Sequence, residues 1–245
     1  MAPVYTAWQD LVADPDLDRR FASEFVVQPL GVVITTTFFG TEDEWEDSGI
    51  PERIPEGIPD SAERNVSVVI NGWLASLVRE AGNEALYLGD LPTHFYSKSL
   101  AFKRENLLEP EAVERLFEYI DDADKGTLLW FIIFDLSGGA VSDPPAASSS
   151  YPHRDKVMFY QSYAIGAGAV TDDTREFLEG VHEEIKDGAG GANTTYAGYV
   201  DPELGTAAAE GAYWGEALEV LRGIKGDWDA GEVFWNPQAV RAPGK

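Results

Sequence analysis

The chain has 245 residues, a formal net charge of −25, 44% hydrophobic residues and no cysteine. The length suffices for a domain with a proper core, and the acidic excess argues against a nucleic-acid partner or an anionic membrane, since it repels phosphate groups. The missing cysteines exclude disulfides, thiolate metal sites, cysteine nucleophiles and a cysteinyl cofactor tether.

At the N-terminus, MAPVYTAWQDLV has neither a basic start nor an apolar core of signal-peptide length. No run in the chain approaches the roughly 18–20 apolar residues of a membrane span. A soluble, cytoplasmic protein is expected. Residues 3–14 predict a short helix with Trp8 and Leu11 on one face, stopped by Asp14-Pro15. Residues 23–40 predict two strands joined through Pro29 to Gly31, the second dense in β-branched residues. Thr41 and Glu44 form a capping box for a short helix. Prolines at 51, 55 and 59 then forbid regular structure and predict a solvated connection.

Residues 71–81 show helical spacing in Trp73, Leu74, Leu77 and Val78. Residues 109–120 form a clear amphipathic pattern, with Val113, Leu116, Phe117 and Ile120 on one face and Pro110 in the first turn. TLLWFIIFDL, residues 127–136, predicts a central strand covered on both faces. A loop over 137–150 leads to a strand over 156–166 and then a helix opening near Thr171 with an acidic first turn. Strands and helices interleave without an internal repeat. The expectation is α+β, one domain over 1–245: an antiparallel β-sheet covered on one face by helices, its other face forming a pocket.

Generic motifs yield no chemistry. His94, His153 and His182 lack metal-ligand spacing, so no metal is expected, and His182 is expected on a solvated acidic face. Gly138-Gly139 and the stretch 188–195 lack the context of a phosphate cradle. Strand alternation is more informative: Phe159, Gln161 and Tyr163 share one face of their strand, and Met158, Tyr160 and Ser162 the other. In TTYAGYVDPEL, residues 194–204, a strand-like segment stopped by Asp201-Pro202 places Tyr196 opposite Tyr199.

Three stretches in order resemble the substrate domain of berberine-bridge-enzyme-like flavin oxidases: FYSKSLAF (95–102), WFIIFDLSGGAVSDPPAASSSYPHRDKVMFYQSY (130–163), and YAGYVDPEL followed by YWGEALEVLRGIKGDWDAGEVFWNPQAV (196–240). The resemblance implies that Gln161 faces the substrate and that Tyr199 matches the family's base. It also implies substrate contacts from Tyr163, Phe159, Tyr96, Lys98, Arg154 and Tyr196, with His153 at the strand's entry as a further catalytic candidate. The family's flavin domain, with its pyrophosphate loop and tethering residue, would precede this region. The family's Tyr-x-Asn-Tyr is here Tyr-Ala-Gly-Tyr, with Gly198 in place of the asparagine, and its Asp-Pro in the acidic turn is Asp229-Ala230.

The expectation that follows is a chain without bound flavin, binding a polyketide-, terpenoid- or alkaloid-like small molecule and catalysing a cyclisation such as a pericyclic ring closure. In that chemistry Tyr199 acts as a hydrogen-bond donor. The alternatives are an FAD-dependent oxidoreductase whose flavin domain comes from another chain, and a non-catalytic small-molecule binding protein. A homodimer over the face that a flavin domain would cover is a further expectation.

Overall fold

The computed structural model describes residues 1–55, 68–69, 72–77, 93–145, 148–166 and 168–244. Of the helix expected over 71–81, residues 73–77 are helical and 71 and 78–81 lie outside the described residues. So does Pro59, with the rest of the stretch 56–67.

Helix α1 (Ala2–Val12) precedes a hairpin of β1 (Phe21–Gln28) and β2 (Gly31–Phe38). Pairing of Gln28 with Gly31 leaves only Pro29 and Leu30 in the turn, and Gly31 closes it at φ 120°, which favours glycine. Helix α2 (Glu42–Asp47) carries the full capping box between Thr41 and Glu44. Strand β3 (His94–Phe102), helix α3 (Pro110–Asp122), strands β4 (Trp130–Leu136) and β5 (Met158–Gly166), and helix α4 (Asp172–Gly188) follow. Helices α5 (Thr206–Trp214) and α6 (Leu218–Trp228) lead to the C-terminal segment.

The five strands form one sheet in the order β2-β1-β4-β5-β3, with every neighbouring pair antiparallel. One face carries Phe25, Val27, Ile132, Phe134, Met158, Tyr160, Leu100 and Phe102 into a core shared with Tyr5 and Trp8 of α1, Val113, Leu116 and Ile120 of α3, and Phe177, Val181 and Ile185 of α4. Burying each large apolar side chain there contributes roughly 1.5–3 kcal/mol. The fold is the α+β arrangement expected, with helices on one sheet face. Strand β4 differs from expectation in one respect. It is central, yet its residues alternate between buried and half-buried, so only one of its faces lies in the helix-covered core. Among the described residues, no helix is long and apolar enough to cross a membrane.

The position of His182 corrects the expectation of a solvated side chain. The amphipathic turn of α4 aims its ring at the sheet, 6.0 Å from the Tyr160 ring, and burial pushes its pKa down to about 4.

Candidate active site

The uncovered sheet face is built by register. Glu24 pairs with Asp135, Asp135 with Phe159, Ile133 with Gln161, and Phe131 with Tyr163. On the other side of β5, Ser99 pairs with Gln161 and Ser97 with Tyr163. Asp135 and Gln161 are therefore diagonal neighbours on adjacent strands, within reach for a polar pair.

The segment after α4 runs along the free edge of β3. The Ala101 amide donates to the Thr194 carbonyl at 2.7 Å. The Ser99 hydroxyl is shared between the Thr195 hydroxyl and the Tyr199 carbonyl, and the Ser97 hydroxyl donates to the Val200 carbonyl. Between these anchors the chain makes a tight turn, closed by the Tyr199 amide on the Tyr196 carbonyl at 2.8 Å. This corrects the expectation that Tyr196 and Tyr199 point to opposite faces. Strand alternation fails where a turn intervenes, and the two rings meet edge to face, centroids 5.3 Å apart.

Tyr199 enters a closed polar group. Gln161 donates from Nε2 to Asp135 Oδ2 at 2.7 Å. The Tyr163 hydroxyl donates to Gln161 Oε1, which fixes the orientation of the amide. The Tyr199 hydroxyl bonds to both Gln161 and Asp135. Burial first, and then the Asp135 carboxylate, push the Tyr199 phenol well above its ordinary pKa. The phenol thus keeps its proton. Asp135 was not among the sequence candidates. Its signal was present as the one acidic residue in the apolar run WFIIFDL.

Around this group stand aromatic rings. Phe159 and Tyr196 are edge-on to each other at 6.4 Å, Phe159 and Tyr199 at 6.1 Å, and Tyr151 and Tyr196 at 6.0 Å. Phe95 stacks on Tyr163 at 5.2 Å. The structure thus brings together Gln161, Tyr163, Phe159, Tyr196 and Tyr199.

The other candidates lie elsewhere. His153 is buried edge-on to Phe159, with Nε2 3.1 Å from the Tyr213 carbonyl of α5, and burial pushes its pKa down to about 4. It is a neutral pin between the strand entry and α5. Arg154 holds the preceding loop through the Val141 carbonyl and the Ser149 hydroxyl. Tyr96 and Lys98 alternate onto the helix-covered face, which corrects their assignment to the substrate side. The Tyr96 hydroxyl donates to Glu179 at 2.7 Å, and the Lys98 ammonium pairs with the buried Asp201 carboxylate at 3.3 Å.

A concavity of about 630 Å³ lies away from this face. It is lined by Glu210, Arg222 and Arg241, whose charges are engaged: Arg222 with Glu210 and Glu219, and Arg241 with Glu232. Among the described residues no three histidine, aspartate or glutamate side chains converge as metal ligands. A dinucleotide cofactor would need a glycine-rich turn opening a helix, or basic side chains aimed at its pyrophosphate. Gly190 and Gly191 instead follow a helix, Gly138-Gly139 lead into a short 3-10 turn, and Arg154 is engaged by the loop. Neither glycine pair, nor Arg154, therefore offers a cradle for the phosphates of FAD.

Residues 195–241 match the family described as "Berberine and berberine like". The FAD-linked oxidoreductase sorD of Penicillium rubens is 31% identical over 240 residues, covering 98% of this chain and 50% of sorD. The xylooligosaccharide oxidase of Thermothelomyces thermophilus is 37% identical over 154 residues, 60% of this chain and 30% of the oxidase. The solved xylooligosaccharide oxidase from Myceliophthora thermophila C1 in complex with xylobiose superposes with a TM-score of 0.76 at 27% identity, covering 98% of this chain and 52% of that one. The chain spans about half the length of sorD and of that structure.

Proposed function

We propose that this chain, which is similar over its length to about half of berberine-bridge-like FAD-linked oxidases, supplies the substrate floor and the proton acceptor of an alcohol oxidation. FAD is assigned to the half of these proteins that this chain does not span, because neither glycine pair, nor Arg154, offers a cradle for its phosphates. The observation that carries the proposal is Tyr199 placed beside Asp135 and Gln161.

A free phenolate is disfavoured at this position, since burial and a carboxylate both oppose it. A lone tyrosine base would therefore be a poor one. The pair avoids the problem. A substrate hydroxyl would donate to the Tyr199 oxygen; with FAD held outside this chain as the two-electron acceptor for the C–H hydride, the hydroxyl proton would move to Tyr199 while Tyr199's own proton moves to Asp135. No free phenolate forms at any stage. Gln161 donates to Asp135 and holds it in place beside Tyr199, and Tyr163 holds Gln161. Proton transfer through positioned groups of this kind contributes about 10²–10⁴ in rate.

A second observation favours an oxidase half over a self-sufficient enzyme. Val220, Ile224 and Trp228 recur at every fourth residue of α6 with exposures of 67%, 51% and 87%, and Phe234 beyond them is 81% exposed. No residue of α6 is buried. Large contiguous apolar patches on a monomer mark contact surfaces, and a flavin-binding half would cover this one.

A flavin-independent pericyclic cyclisation is the second reading. Its support is the same protonated phenol, which could donate to a substrate oxygen. The Asp135 carboxylate bonded to that phenol weighs against it. Oxidation of a panel of alcohols and sugars by the full-length protein tests the proposal. Wild-type turnover accompanied by flavin reduction, and a loss of 100-fold or more in Tyr199→Phe, is expected. Conversion of a substrate with no flavin present would overturn the proposal in favour of cyclisation.

A further inference from the structure

Tyr196 has no part in the proton relay, yet its position is tightly specified. Its ring has edge-to-face partners in Tyr151, Phe159 and Tyr199, at 6.0, 6.4 and 5.3 Å, and the residue remains 41% exposed beside Tyr199. On its inner side the ring presses on the backbone of Gly198. A Cβ at position 198 would lie 2.4 Å from Tyr196 Cε1, 3.0 Å from Cδ1 and 3.1 Å from Cζ. Gly198 is not among the residues with positive φ, so the backbone does not require glycine there. The ring does.

From this we infer that Tyr196 is a specificity-determining wall of the site, stacking against the flat face of a hydroxyl-bearing six-membered ring in the substrate, and that Gly198 holds it in place. The inference rests on the oxidation reading for the direction of the substrate hydroxyl, which reaches Tyr199 while the ring leans on Tyr196. An aromatic face accepts either a second aromatic ring, offset or edge-on, or the C–H face of a sugar ring. The shared chemistry is a ring with a flat apolar face and a hydroxyl at its rim. The net charge of −25 disfavours anionic forms of such a ligand.

Equilibrium binding tests this in the full chain without reference to turnover. Titration calorimetry with 2-naphthol and, separately, with xylobiose would be run on the wild type, Tyr196→Ala, Tyr196→Phe and Gly198→Ala. At least one probe should bind the wild type. Tyr196→Ala should weaken it about 10-fold, and Tyr196→Phe, which keeps the ring, should restore it. Gly198→Ala should weaken it in the same direction by displacing the ring. Loss confined to 2-naphthol assigns an aromatic ligand, and loss confined to xylobiose a saturated one. Binding of neither probe, unchanged binding in Tyr196→Ala, or equal weakening in Tyr196→Phe and Tyr196→Ala would overturn the inference. Unchanged binding in Tyr196→Ala together with lost turnover in Tyr199→Phe would remove the wall and keep the relay. The converse pair of results would remove the relay and keep the wall.

Discussion

Gln161 on β5 donates to Asp135 on β4 at 2.7 Å, so two neighbouring strands present one polar unit on a sheet face that also carries Glu24, Val26, Phe131, Ile133 and Phe159. Tyr199 arrives on that unit from a separate segment, folded over the edge of β3. The chemistry is thus assembled from three parts of the chain, and each part can be tested by itself.

The electrostatic link is the first. The Asp135 carboxylate raises the Tyr199 phenol after burial has already done so. Asp135→Asn removes the charge and keeps the size, so the Tyr199 titration should move down toward the ordinary tyrosine range. Ultraviolet absorbance of tyrosinate across an alkaline titration reads this, with Tyr199→Phe identifying the signal. An unchanged titration would mean that the two groups are not coupled.

Stability of the edge segment rests on a buried ion pair. Lys98 and Asp201 have side chains only 8% and 5% exposed, and Asp201 also receives the Glu203 amide. Lys98→Met leaves the carboxylate buried without its cation and should cost about 3–5 kcal/mol in denaturant unfolding. A loss under about 1 kcal/mol would show that water reaches the pair.

Acid should destabilise the protein through His153. Its folded pKa of about 4 lies below the unfolded value near 6.5, so the unfolded chain binds the proton first as pH falls. The stability is fully present above pH ~6.5 and declines as pH falls toward about 4, by at most about 3 kcal/mol for this 2%-exposed residue. His182, also lowered to about 4, acts in the same direction. His153→Gln should flatten part of the decline in thermal midpoint between these limits. An equal decline in the variant would assign the effect to other groups.

The apolar stripe of α6 gives a prediction about assembly. Trp228→Lys should weaken association with a flavin-binding half and lower hydrophobic-dye binding by the chain alone, while the thermal midpoint stays unchanged because no residue of α6 is buried. A species of twice the chain mass in sedimentation, lost in Trp228→Lys, would assign the stripe to a second copy of this chain instead.

Much of this architecture is legible in the sequence. The apolar faces of α3 and α4 and the alternation of β5 are strong periodic signals, because one side of each element is buried in a single core. The same alternation places Gln161 and Tyr163 together. Other features escape local pattern. The partner of Lys98 lies 103 residues away in sequence, so nothing near Lys98 announces its burial. Around Tyr196 the strand-like residues suggest alternation, whereas Ala197-Gly198 are the turn, and that turn reverses the relation of the two rings. Asp135 was visible as a lone acid in an apolar strand. Its importance depends on the register of β4 with β5, which the sequence does not display.

The central claim is that Tyr199 and Asp135 act as one proton-accepting unit, and a double-mutant cycle on the oxidation rate of the full-length protein tests it most directly. The account predicts that Tyr199→Phe and Asp135→Asn each lower the rate by about 10²–10⁴. It also predicts that the double variant is no slower than the worse single one, because either change alone breaks the relay. Losses that multiply in the double variant, or full activity in Tyr199→Phe, would contradict it.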